Sequence, residues 1–137
     1  MSRQHIHFLR VRYSETDAMG TYYNSRALEW FECGRTELCR VLGKPYSQWE
    51  QDGVGLPLVT AHVEYQGKAR YDDLLKIATT VSMGGRARLR FDMTIEHAET
   101  GQPICRGYTV HAVADPSGRA IRPPRWLLEL VETPGQC

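Results

Sequence analysis

The sequence predicts an α+β chain: one long helix near the N-terminus, set against an antiparallel sheet of about five strands. Three observations carry this. Residues 24–42 repeat their apolar positions at steps of three and four. Four other stretches alternate apolar and polar residues, and a fifth, 104–114, is mixed on both sides, as in a central strand. Short tetrads and dipeptides rich in Gly, Pro and Asp separate the later strand-like stretches, which links neighbours as hairpins.

The elements follow in order. "FLRVRY" places Leu9, Val11 and Tyr13 on one side and Arg10 and Arg12 on the other, a half-buried strand. From Asn24 to Leu42, Ala27, Phe31, Gly34, Leu38 and Val41 form one helix face, with Glu29, Glu32, Thr36 and Arg40 opposite. Asn24 or Ser25 supplies the N-cap, and Gly43 and Pro45 the stop. Gly34 on the apolar face costs about 1 kcal/mol relative to Ala, which close approach of another backbone would offset. The helix is therefore expected to press tightly on the sheet. "YSQWEQDG" reads as a short second helix. Strands follow at Val59–Tyr65, Leu75–Met83 and Ala87–Ile95, then the mixed Ile104–Ala114. "GG" at 84–85, "ETGQ" at 99–102 and "DPSG" at 115–118 are the turns, and a short helix from Arg125 to Glu132 follows "RPP". One helix cannot cover both faces of such a sheet, so its edges and outer face are expected to meet a second subunit.

The totals exclude several classes. The 137 residues suit a single domain over 1–137. Lys+Arg 17 against Asp+Glu 16 leaves a formal +1, so no bulk charge calls for nucleic acid or an anionic membrane. No apolar run approaches the roughly 18–20 residues that span a bilayer. "MSRQHIHFLR" lacks a signal-peptide core. Cys33, Cys39, Cys105 and Cys137 show no paired short spacing and read as reduced thiols of a cytoplasmic protein. No Cys and His cluster stands at metal-ligand spacing, and "HIH" at 5–7 reads as the start of a strand. Phosphate loops, "GxSxG" and "HExxH" are absent.

What remains for chemistry is "YSETDAMGTYY", residues 13–23. Asp17 precedes a Gly by three positions and a helix start by about seven. The first N–H groups of a helix lack intrahelical partners and, with the macrodipole, favour negative charge. Aimed at a carbonyl oxygen they stabilise the oxyanion of acyl transfer. An ionised Asp beside them attacks the carbonyl or takes a proton from water. A thioester suits this sparse equipment, because a thiolate leaves without a strong general acid. By spacing alone, however, Asp17 reads as a turn residue.

The run "VRYSETDAMG" at 11–20, then Tyr23, then "LEWFECGRTEL" at 28–38, resembles the hotdog-fold acyl-CoA thioesterases of the 4-hydroxybenzoyl-CoA and Tol–Pal-associated type. Weaker matches follow in "HVEYQGKARYDD" at 62–73 and "GRAIRPP" at 118–124. The resemblance covers nearly the whole chain. It implies a sheet wrapped around the long helix, subunits paired through their sheets into a dimer or a dimer-of-dimers tetramer, and an active site at the dimer interface. It puts Asp17 at the family's catalytic Asp and the backbone N–H groups of Tyr23 and Asn24 at the thioester carbonyl. The implied reaction is hydrolysis of an acyl-CoA to a carboxylate and free CoA, with no metal or redox cofactor. The chain departs from the pattern at "NSRA". Asn24 stands where relatives carry His or Tyr, and Arg26-Ala27 replaces an Asn-Tyr pair whose Asn helps hold the loop. Arg26 is thus expected to reach a substrate carboxylate, a CoA phosphate or Asp17, or to face solvent.

Other polar residues have two readings each. Arg86, Arg88 and Arg90 line one strand face, as a solvated surface or as a phosphate site for CoA that Lys68 and Arg70 complete. His62 and His111 read as strand surface residues. Glu32 and Arg35 are spaced to pair, and Glu29 is a reserve carboxylate. The competing functions are a non-catalytic acyl-CoA-binding protein, a hydratase of the same fold, which lacks the Asp–His pair it needs, and a thioesterase acting on acyl-carrier-protein thioesters.

Overall fold

The computed structural model describes residues 3–132. Its strands are β1 (Arg3–Arg10), β2 (Leu58–Tyr65), β3 (Leu74–Gly85), β4 (Arg88–His97) and β5 (Pro103–Ala112). They form one five-stranded sheet in the order β1-β3-β4-β5-β2, antiparallel at every joint. Helices α1 (Arg26–Val41), α2 (Tyr46–Gln51) and α3 (Arg125–Glu132) complete the chain. The long helix lies against β1, β3 and β4, the expected hotdog arrangement. Cys137 lies outside the described residues.

Period-2 patterning sets the inner face of the sheet. Leu75, Ile77, Thr79 and Val81 of β3 and Leu89, Phe91, Met93 and Ile95 of β4 are buried. Their partners across the ladder keep the same face: Thr79 pairs with Met93, Met93 with Gly107 and Gly107 with Val63. Against this face α1 buries Ala27, Trp30, Phe31, Gly34, Leu38 and Cys39. Gly34 presses on the sheet as expected, but against side chains and not backbone: a Cβ there would collide with Thr79 Oγ1 and lie 3.1 Å from Ile77 Cγ2.

Val41, expected on the apolar helix face, is 46% exposed, and "GG" at 84–85 lies within β3, with the turn at 86–87. Two further local expectations change. The first strand begins at Arg3 and ends at Arg10, not at Tyr13. The chain leaves the sheet where Val11 N–H donates to Asp73 O at 3.0 Å, and a 3-10 turn at 13–15 follows. Tyr13 loses the alternation and is 77% exposed. The second concerns α1. Ser25 precedes it but makes no side-chain cap bond; the first turn closes through Arg26 N–H donating to Tyr23 O at 2.9 Å.

At the other edge, β2 pairs with β5 alone. Leu58, Val59 and Tyr65 are exposed along it, although the strand reads apolar at alternate positions.

Candidate active site

Asp17 sits in a tight turn. Its Oδ1 accepts the Met19 N–H at 2.9 Å, its N–H donates to Thr21 O at 2.8 Å, and its carbonyl accepts the Gly20 N–H at 3.0 Å. Gly20 has φ +81, a left-handed conformation open to Gly and unfavourable for most side chains. Asp17 is therefore a turn residue in the literal sense. One oxygen builds the turn, and Oδ2 has no hydrogen-bond partner among the described residues.

The turn joins the arms of a small hairpin. Thr16 and Tyr22 bridge antiparallel, and Tyr23 N–H donates to Glu15 O at 2.9 Å. That bond changes the expectation for Tyr23, whose amide is already committed inside the loop. The N–H groups of Asn24 and Ser25 are the uncommitted donors at the start of α1 among the described residues. From the edge of the sheet, Tyr65 Oη–H donates to Asn24 O at 2.8 Å and fixes that peptide.

Two groups hold the loop, the first of which the sequence reading passed over. Glu15 is 3% exposed and accepts the Arg12 N–H at 2.7 Å and the Trp30 Nε1–H at 3.0 Å. A carboxylate this deep needs such donors. The helical spacing that put Trp30 next to the apolar face was the available signal. Arg26 is the second group. Its Nη1 donates to both Glu29 oxygens at 2.9 Å and its Nη2 to Ser14 O at 3.2 Å. Arg26 thus does not meet Asp17; it ties the first turn of α1 to the 3-10 turn. Its pairing also occupies Glu29, the reserve carboxylate, and brings the negative charge that a helix N-terminus favours.

The basic residues divide into two groups. Lys68 and Arg70 flank Ala69, whose carbonyl accepts the Tyr22 N–H at 2.9 Å and whose N–H donates to Thr21 Oγ1 at 3.2 Å. This brings both cations to the Asp17 loop; Arg70 Nη1 lies 3.7 Å from the point a Cβ on Gly20 would occupy. Arg86 and Arg88 are exposed at the β3–β4 turn, at the other end of β3. A strand of 12 residues at about 3.3 Å per residue separates the pairs by roughly 35 Å. One subunit therefore does not combine Arg86 and Arg88 with Lys68 and Arg70. Arg90 is spent on Asp92 and lies over the Tyr108 ring at 3.9 Å.

His62 is on the outer face, stacked on Tyr108 at 5.3 Å. His111 corrects its expected surface position: it is 3% exposed, with Nδ1 3.0 Å from Leu56 O and Nε2 3.0 Å from Thr109 Oγ1. Burial holds its pKa below the usual imidazole value, so Nδ1–H donates to Leu56 O and Nε2 accepts the Thr109 hydroxyl. Arg35 forms no ion pair with Glu32 among the described residues.

A profile of the thioesterase-like superfamily matches residues 11–131. YneP of Bacillus subtilis (strain 168) is 38% identical over 73 residues, 53% of this chain and 53% of YneP, about half the length of that relative. YbgC of Haemophilus influenzae, named an acyl-CoA thioesterase, is 34% identical over 88 residues, 64% of this chain and 65% of its own. The solved structure of 4-hydroxybenzoyl-CoA thioesterase from Pseudomonas sp. strain CBS-3 matches with a TM-score of 0.82 at 22% identity, over 93% of this chain and 99% of that one, a likeness of fold. The superfamily match runs from the end of β1 into α3 and takes in the Asp17 turn, the start of α1 and every later strand; the chain belongs to the thioesterase-like superfamily.

Proposed function

We propose that this protein hydrolyses acyl-CoA thioesters to a carboxylate and free CoA. The observation that carries the reading is that one small hairpin bears both Asp17, whose Oδ2 has no hydrogen-bond partner among the described residues, and, where it leads into α1, the uncommitted Asn24 N–H. YbgC bears the name of this activity and matches about two thirds of the chain.

In the proposed reaction the Asn24 N–H, with that of Ser25 behind it, donates to the thioester oxygen as negative charge builds there. Asp17 takes a proton from water as the water oxygen bonds to the carbonyl carbon, or attacks that carbon itself to give an anhydride that water then opens. In either route the C–S bond breaks, the acyl carbon keeps the new oxygen, and the sulfur leaves as thiolate and is protonated. Lys68 and Arg70 face the phosphates of CoA from the neighbouring loop. Arg86 and Arg88 join them if another subunit brings its β3–β4 turn alongside. The exposed β2 edge pairs with its own copy, giving a dimer that doubles into a tetramer in the cytoplasm.

The test is Asp17→Asn, with thiol release followed on aryl, short and long acyl-CoAs and on matched acyl-carrier-protein thioesters. General-base or nucleophilic loss predicts a fall of about 10²- to 10⁴-fold in kcat. Unchanged rates in the variant would remove Asp17 from the mechanism. CoA binding without thiol release from any wild-type substrate would point instead to a binding protein.

A further inference from the structure

A cavity of about 220 Å³ opens between α1, α2, β4 and β5, on the C-terminal half of α1. Arg35, Cys39, Tyr46, Leu56, Phe91 and His111 form most of its wall. A cavity of about 150 Å³ admits benzene. This one therefore has room for a substituted single ring or a short chain, and too little for a long acyl tail.

The polar groups on its wall are unequal. Burial pushes the Cys39 thiol up to about 11, raises the Tyr46 phenol and lowers the His111 imidazole, so all three are neutral near pH 7. His111 is held by Leu56 O and Thr109, and Tyr46 Oη accepts the Leu56 N–H at 2.9 Å. Arg35 differs. It is half-buried, and the desolvation lowers its pKa; it makes no hydrogen bond or ion pair to any described residue. The Phe91 ring, 6.0 Å away, is its one close contact of a favourable kind among them. Glu32, one turn earlier and exposed, attracts it without closing an ion pair. The Arg35 donors are therefore open to a ligand in the cavity. Its planar fork of donors matches a carboxylate.

The cavity also stands in the right place for an acyl group. Within one chain, positions 24 and 35 are 11 residues apart (35 − 24), about 16 Å along the helix at 1.5 Å per residue. Pairing of β2 with its own copy about a two-fold axis is antiparallel. It sets the Tyr65 end of one strand, which holds Asn24, beside the Leu58 end of the other, which leads from Leu56 and the cavity.

We infer that this cavity receives the acyl end of the substrate across the dimer interface, and that the acyl group is compact and ends in a carboxylate bound by Arg35. The inference rests on the thioester-hydrolase reading above.

The full-length protein is assayed for thiol release on size-matched pairs, adipoyl-CoA against hexanoyl-CoA and 4-carboxybenzoyl-CoA against 4-methylbenzoyl-CoA. The wild type is expected to favour the carboxylated member of a pair by about 10- to 100-fold in kcat/KM, the worth of a charge-assisted hydrogen bond. Arg35→Met abolishes that preference chiefly through KM, the carboxylated members losing about 10- to 100-fold more than their neutral partners; Arg35→Lys retains part of it. A wild-type preference for the neutral members, or an equal loss on both members in Arg35→Met, overturns the inference; the second outcome would make Arg35 a subunit-contact residue. If no substrate releases thiol, the hydrolase reading has failed on its own. Adipate and hexanoate binding to wild type and Arg35→Met, measured by ligand-observed NMR, then decides the pocket. Adipate binding that needs Arg35 supports the pocket, and equal or absent binding of both acids overturns it.

Discussion

Trp30 Nε1–H donates to Glu15 Oε2 at 3.0 Å, and both groups are buried. The bond joins the second turn of α1 to the 3-10 turn that precedes Asp17. Glu15 also receives the Arg12 N–H. Replacing Glu15 with Ala strands the buried Trp30 N–H and removes a part-buried bond from Arg12, at about 1.5–3 kcal/mol for a bond to a charged group. Urea unfolding followed by tryptophan fluorescence should show that loss. The carbonyl of Glu15 fixes Tyr23, so kcat should fall more than KM rises. A variant that loses stability while keeping full kcat would confine Glu15 to packing.

Gly34 and Thr79 form a tight helix-to-sheet contact. Gly34→Ala should destabilise the protein by about 1–3 kcal/mol through overpacking. Thr79 Oγ1 is buried with no partner among the described residues, so Thr79→Ala removes the obstruction at modest cost. On that background Gly34→Ala should turn neutral or mildly stabilising, because Ala favours a helix by about 1 kcal/mol over Gly. A double-mutant cycle by urea unfolding measures the coupling. Simple additivity would show that the helix shifts to relieve the contact.

The β2 edge carries Leu58 and Val59 in the open. Val59→Lys places a charge on the surface proposed to pair with a second copy. The wild type should run as a dimer or tetramer by light scattering, and the variant should shift toward monomer and lose activity with it. A monomeric wild type with full activity would contradict an active site completed by two subunits.

His111 makes stability depend on pH. Its folded pKa lies below the unfolded value of 6.5, so its contribution is fully present above about pH 6.5 and is lost as pH falls through the folded value. The difference in urea midpoint between pH 7.5 and pH 5.5 should be smaller in His111→Gln than in the wild type. An identical difference in the two proteins would mean that His111 takes up its proton without opening the site.

Much of this architecture is local and therefore legible along the chain. Alternation marked β3 and β4, steps of three and four marked α1, and a Gly on the apolar helix face foretold a tight helix-to-sheet contact. Asp17 followed by a Gly spelled a turn, and the motif around it named the family. These features depend on neighbours a few residues apart, whose side-chain directions the backbone period sets.

The rest depends on which distant segments meet. The Tyr23 amide is taken by Glu15 because the two arms of the hairpin pair in one register and not another. Arg26 is spent on Glu29 and Ser14 because the 3-10 turn folds back over the start of α1. Lys68 and Arg70 reach the Asp17 loop through Ala69, while Arg86 and Arg88 are carried to the far end of β3 by its length. His111 looks like a surface residue in the alternation, yet Leu56 from a distant segment closes over it. Hydrogen bonds across tens of residues are chosen by strand order and register, and the local period of a sequence does not encode either.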